Sequence, residues 1–188
     1  MVDSAIRIGA FESLAANSRS CLAAELRPLP PDAKFIFRGR GDAVVAACRA
    51  LGFALPETAC RASASDNRAA LWLGPDEWLL IAPEAHETDI TQGFATALSG
   101  LPHALVAVGH RNAGVELTGA QVGTVLAAGC PLDLDLDGFP VGMCTRTVLG
   151  KAEIVLWRTA PEVFRIEVWR SFAAYVWRFL DVARGEFR

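Results

Sequence analysis

Residues 35–52, FIFRGRGDAVVAACRALG, and residues 115–129, VELTGAQVGTVLAAG, share one plan: an apolar strand, a glycine turn, and a short apolar helix closed by glycine. In the first, 34–39 (KFIFRG) is rich in aromatic and β-branched residues and reads as a strand ending at Gly39. Residues 42–51 then read as a helix with Val44, Val45, Ala47, Cys48 and Leu51 on its apolar side, stopped by Gly52. Outward from there, the polar stretch 56–68 reads as a loop. ALWLG (70–74) and EWLLIA (77–82) read as two strands joined by the turn chemistry of Gly74, Pro75 and Asp76. Thr88 and Asp89 can open a helix whose stripe is Ile90, Phe94, Ala97 and Leu98 and which Gly100 ends.

The order then starts again. ALVAVG (104–109) reads as a linking strand, GVELTG (114–119) opens the second copy, and 120–128 is a helix with Val122, Val125 and Leu126 inward. A loop follows over 130–144, then strands at 146–149, 153–158 and 163–169. A last helix from Ser171 carries Phe172, Val176, Phe179, Leu180 and Ala183. ALWLGPDEWLLIAP (70–83) lies over EIVLWRTAPEVFRIEV (153–168), at an offset near 80 residues. Each copy is too small to cover its own sheet. The pattern predicts an α+β protein in which two similar strand–helix–loop–strand–strand–helix halves pack as one body: an N-terminal extension over 1–32, a first half over 33–103 and a second over 104–188.

A chain of 188 residues can bury a core of its own, and 52% hydrophobic with 21% charged residues is a globular composition. A net charge of −3 with scattered Lys and Arg predicts no nucleic-acid partner. The first twenty residues do not read as a signal peptide, and no apolar run approaches a membrane span, so no membrane association is expected. Five widely spaced cysteines, Cys21, Cys48, Cys60, Cys130 and Cys144, fit free thiols and a cytoplasmic protein better than a disulfide framework.

Several short motifs invite chemistry. Gly39-Arg40-Gly41 falls where a dinucleotide fingerprint would begin, but its third glycine position is Val44 and no strand ending in an acid follows about 20 residues on. Asp133, Asp135, Asp137 and Gly138 copy the first half of a calcium loop, while the twelfth position is Cys144 instead of a carboxylate. The plainer reading has Leu132, Leu134 and Leu136 alternating inward along an extended piece, with the aspartates in water. His86, His103 and His110 have no metal-binding spacing, and there is no nucleophile elbow or phosphate loop. Cys130 and Cys144 flank one loop and either approach each other or are buried as small apolar residues.

Trp72, Trp78, Trp157 and Trp169 lie in the paired strands and Trp177 in the last helix, with Arg158, Arg165, Arg170 and Arg178 near them. Core residues are one reading of these tryptophans; a partner-binding surface is the other, because Trp and Arg concentrate at interface hot spots. His110, Arg111 and Asn112 form the polar link between the copies, either a solvated turn or a contact with another chain. The candidate partner contacts are His110, Arg111, Asn112, Trp157, Arg158, Trp169 and Arg170. Catalytic, cofactor-binding and metal-binding residues are expected to be absent. Exposed apolar area on the order of several hundred Å² predicts that the isolated chain either self-associates or is soluble only at modest concentration.

The string VAVGHRNAGVELTG…VLAAGCPLDLD…CTRTVLGKAEIVLWR…FRIEVWRSFAAYVWRFL resembles the gamma subunit family of heterotetrameric sarcosine oxidases, and ALWLGPDEWLLIAP fits the same family. The resemblance covers roughly residues 35–180. It implies a fold similar to the folate-binding domain of the glycine-cleavage aminomethyltransferase (T-protein). It also implies an assembly with alpha, beta and delta subunits that oxidatively demethylates sarcosine to glycine. The methyl carbon passes to tetrahydrofolate and the electrons pass through flavins to oxygen. FAD, FMN, NAD and tetrahydrofolate are implied on the partner chains and none on this one. Where the T-protein has an acidic pair before an apolar strand, this chain has Ala152 and Glu153 in the second copy and Ala69 and Ala70 in the first. A non-catalytic structural subunit is therefore the leading reading, and a stand-alone folate-binding one-carbon-transfer protein with Glu153 near its site is the alternative.

Overall fold

The computed structural model describes residues 9–188. In chain order the elements are α1 (Glu12–Ala16), β1 (Glu25–Pro28), β2 (Asp32–Gly39), α2 (Asp42–Leu51), β3 (Ala62–Ser65), β4 (Arg68–Gly74), β5 (Glu77–Pro83), α3 (Glu87–Ala97), β6 (His103–Ala107), β7 (Asn112–Thr118), α4 (Val122–Ala127), β8 (Cys144–Leu149), β9 (Ala152–Ala160), β10 (Val163–Trp169) and α5 (Ala173–Ala183). They form two five-stranded sheets, β3-β4-β5-β2-β6 and β1-β7-β10-β9-β8. All the named strand pairs are antiparallel.

The two sheets share one topology, so the doubled α+β plan holds. Asp32 and Asn112 open β2 and β7, 80 residues apart, and α2 and α4 follow them in turn. The fifth strand of each sheet comes from outside the matching pattern. β1 lies within the stretch expected to be an N-terminal extension, yet it pairs with β7 and completes the second sheet. β6, expected to link the copies, pairs with β2 and completes the first. Each copy thus begins with a strand that it contributes to the other copy's sheet.

Side-chain alternation explains the layering. Ala33, Phe35 and Phe37 on β2, with Trp78 and Leu80 on β5, face a core closed by Ala47 and Leu51 of α2 and Ile90 and Phe94 of α3. Val115, Leu117, Ile154, Leu156, Phe164 and Ile166 face a second core under α4 and α5. The opposite faces meet each other, joined by a smaller cluster of Ala69, Leu71, Leu79, Ile81, Val108 and Cys144. The molecule is therefore a helix–sheet–sheet–helix sandwich, and a single sheet with one face uncovered is not what forms.

Four local expectations are corrected. Residues 62–65 of the expected loop form β3, an edge strand held on β4. The buried stripe of α2 is Ala43, Ala47 and Leu51, which leaves Val45 50% exposed. Phe172 sits in a short 3-10 turn before α5 and is half-exposed, while Trp177 lies in the core. Residues 131–140 turn repeatedly instead of running extended. The backbone N–H of Asp135 donates to Asp133 Oδ1 at 3.0 Å, so Leu134 is buried but Leu136 is 49% exposed. All five cysteines are free.

Candidate functional site

The seam between the sheets is closed by two kinds of contact. Its apolar part is the small cluster around Leu71, Leu79 and Val108. Its polar part is a four-residue ion network, because β2 and β10 both place charges at alternate positions facing inward. Asp32 and Lys34 come from the first sheet, Arg165 and Glu167 from the second. Lys34 Nζ lies 2.8 Å from Glu167 Oε2, and Arg165 Nη2 lies 2.7 Å from Glu167 Oε1 and also pairs with Asp32. The contact at Glu167 Oε2 is ionic without hydrogen-bond alignment. Lys34 Nζ also points at the Asn112 carbonyl, 3.4 Å away.

Two opposed effects act on Glu167. Complete burial pushes its pKa up, but the charges of Arg165 and Lys34 outweigh burial and hold it below the ordinary carboxylate value. Arg165 is desolvated too, and its two carboxylate partners still raise its pKa. The four charges sum to zero. A network of this kind adds little net stability over an apolar seam, but it penalises any packing of the sheets that leaves a charge unpaired.

Beside the network a cleft of about 660 Å³ opens between the sheets, with Ile36, Leu79, Val106, Val148 and Val155 among its apolar walls and Glu167 at its base. Arg146 of β8 pairs with Glu77 of β5 across it, with Nη1 3.3 Å from Oε2. Glu153 is exposed at its rim. Among the described residues the cleft lining holds no histidine or cysteine, and no group of three His, Cys, Asp or Glu side chains could hold a metal. Of the three lining glutamates, Glu77 and Glu167 are paired to cations and Glu153 is exposed.

The expected partner contacts fall in three places. Arg111, Asn112, Trp169 and Arg170 come together where β7 begins and β10 ends, since Asn112 pairs with Trp169 in register. Arg111 stacks on Trp169 with its guanidinium carbon 5.3 Å from the ring centre, and the Arg170 N–H donates to the Arg111 carbonyl at 2.7 Å. Trp169 is 45% exposed, and His110 beside it is exposed. Trp157 lies elsewhere, half-buried against the seam. Arg158 points inward: it donates to the carbonyls of Leu134, Phe139 and Pro161 and stacks over Phe164, pinning the 130–142 loop to the second core.

The sequence reading missed the quartet at the seam and the cleft beside it. The signal was present as Asp32-x-Lys34 and Arg165-x-Glu167, period-two charges on one strand face. Apolar neighbours on the alternate positions made these look like ordinary solvent-facing charges.

In class, this is a duplicated two-sheet sandwich with a cleft at the junction. It shares its fold with the glycine cleavage system aminomethyltransferase T from Bartonella henselae, at a TM-score of 0.63 and 15% identity over 94% of this chain and 52% of that one. The sarcosine oxidase gamma subunit family model matches residues 39–186, and the chain belongs to that family. It is 34% identical over 148 residues to the sarcosine oxidase subunit gamma of an Arthrobacter species, covering 78% of this chain and 71% of that protein. The subunit gamma of Corynebacterium sp. strain P-1 is 33% identical over 143 residues, 76% of this chain and 70% of that protein. A chain of the heterotetrameric sarcosine oxidase from Corynebacterium sp. U-96, solved with pyrrole 2-carboxylate, superposes at a TM-score of 0.89 with 28% identity, covering 96% of each chain.

Proposed function

We propose that this chain is the gamma-type structural subunit of a four-chain sarcosine oxidase, holding the assembly together while its alpha, beta and delta partners carry FAD, FMN, NAD and tetrahydrofolate. The complex oxidatively demethylates sarcosine to glycine, with the methyl carbon taken by tetrahydrofolate or released as formaldehyde and with hydrogen peroxide formed from oxygen. The observation that carries this reading is the mutual 96% coverage at a TM-score of 0.89 with a chain of a heterotetrameric sarcosine oxidase. The pairing of two of the three lining glutamates, Glu77 and Glu167, to cations supports a non-catalytic role. Arg111, Trp169 and Arg170, with His110 and Asn112, supply the exposed aromatic and cationic side chains of a partner contact.

The test is co-expression of a tagged copy of this chain with the three partner genes. One copy of each chain should elute as one species by native mass spectrometry, and the separately purified chain should be colourless. Stoichiometric flavin absorbance on the isolated chain would contradict the reading.

Glu153 at the cleft rim favours a second reading, a stand-alone folate-binding one-carbon-transfer protein. It requires a folate-induced thermal shift of the isolated chain. None is expected with tetrahydrofolate.

A further inference from the structure

Sheet edges expose backbone donors and acceptors, and proteins blunt them with charge, proline or brevity. Three of the four edges here are blunted. β1 carries Glu25 and Arg27 and ends at Pro28; β3 has four residues; β8 carries Arg146, held on Glu77. β6 is different. After His103 it reads Ala104, Leu105, Val106 and Ala107, with no charge, proline or glycine, and Val106 is 54% exposed. Among the described residues β6 pairs with β2 alone.

The register fixes which backbone groups stay open. The Val108 N–H donates to the Lys34 carbonyl at 2.7 Å, and Val106 lies opposite Ile36. Alternation along an antiparallel ladder then turns the backbone of Ala104 and Val106 toward β2 and that of His103, Leu105 and Ala107 outward. The Val106 side chain faces the cleft, whose walls include Val148 and Trp169. Arg111 lies in the same wall. Its Nε donates to Asn112 Oδ1 at 3.2 Å, and among the described residues no carboxylate pairs with its terminal nitrogens.

We propose that the open edge of β6 takes an extended segment of a partner subunit as a sixth strand. Alternate apolar side chains of that segment cover Val106, Val148 and Trp169, and an acidic residue pairs with Arg111. The outward row of donors and acceptors specifies an extended backbone, the exposed valines specify apolar side chains over the cleft, and Arg111 specifies a carboxylate. A second copy of this chain fits less well, because residues 103–109 contain no acid to meet Arg111. The inference rests on the subunit reading above, which supplies the partner.

Hydrogen exchange with mass spectrometry, on the isolated chain at a dilution where it is monomeric and on the four-chain complex, tests it. The Leu105 and Ala107 amides should exchange fast in the isolated chain and about 100-fold more slowly in the complex. Ala107→Pro removes an outward donor without touching the β2 ladder. It should weaken retention of the partners by about tenfold or more, with an unchanged melting temperature. Val45→Lys on the exposed side of α2 should retain them fully. A complex that forms while these amides stay fast overturns the inference and leaves the subunit reading standing. Slow exchange already in the dilute isolated chain overturns it in favour of this chain's own residues, and protection in the concentrated isolated chain equal to that in the complex overturns it in favour of a second copy. Failure of any complex to form overturns both.

Discussion

Glu167 has its two carboxylate oxygens on cations from opposite sheets, and Lys34, its partner across the seam, is as deeply buried as it is. Removing one member of such a pair leaves a desolvated charge without compensation, a loss of about 3–5 kcal/mol. Glu167→Gln should therefore lower the melting temperature sharply, as calorimetry would show; a change within a degree would mean that Lys34 finds water or another partner. The pH dependence follows from the same geometry. Because the folded pKa of Glu167 lies below its unfolded value, its contribution is present in full above about pH 4.3 and is lost as pH falls through the folded value. The acid limb of a stability curve should be flatter in Glu167→Gln than in the native chain. Little of this was legible from sequence. Asp32, Lys34, Arg165 and Glu167 alternate visibly, but whether that face meets water or another sheet depends on a partner sheet some 80 residues or more away in the chain. Trp169, Arg111 and Arg170 were legible as residue types, but that they meet in space was not, and Arg158 looks the same in sequence and is buried.

The exchanged strand β1 was not expected from the sequence, and identifiable contacts hold it. Arg184, buried after α5, donates to the carbonyls of Ala24 and Arg19, to Ser18 Oγ and to Asp181, tying the chain before β1 to the C-terminal helix. Burial pushes the Asp181 pKa up, but Ser18, Arg184 and Arg188 together hold it below the usual carboxylate range. Gly119, at φ +133°, lets the Ala23 carbonyl come so close that an added Cβ would lie 2.5 Å from its oxygen. Arg184→Ala should release residues 17–28 to limited proteolysis and cost about 2–4 kcal/mol, since several buried acceptors lose their donor at once. Resistance equal to the native chain would show that β1 is held by its ladder with β7 alone. A parallel case is Arg158→Ala, which should make 131–142 the first cleavage site and leave β9 intact. The doubled strand–helix order was readable because apolar runs, glycine stops and an 80-residue offset agree. β1 was unreadable because ELRP is charged and ends in proline, and β3 because ASAS has no apolar alternation; both are edges whose pairing comes from tertiary context.

At the scale of the whole molecule, the sandwich uses nearly all its apolar strand faces internally and leaves Val106, Val148 and Trp169 half-exposed around one cleft. That concentration, together with the exposed arginines beside it, is what a subunit surface requires. Among the described residues no helix is long and apolar enough to cross a membrane. The isolated chain should self-associate weakly at high concentration through these residues, which sedimentation over a concentration series would reveal as a rising mean mass; a constant monomer mass would remove that expectation. The proposed role, completing a sarcosine-oxidising assembly without doing the chemistry, is tested by sarcosine-dependent peroxide formation. The three partner chains expressed without this one should yield an incomplete assembly with little activity, restored on addition of the separately purified, colourless chain. A three-chain preparation as active and as stable as the complete one would show that this chain is dispensable to the assembly.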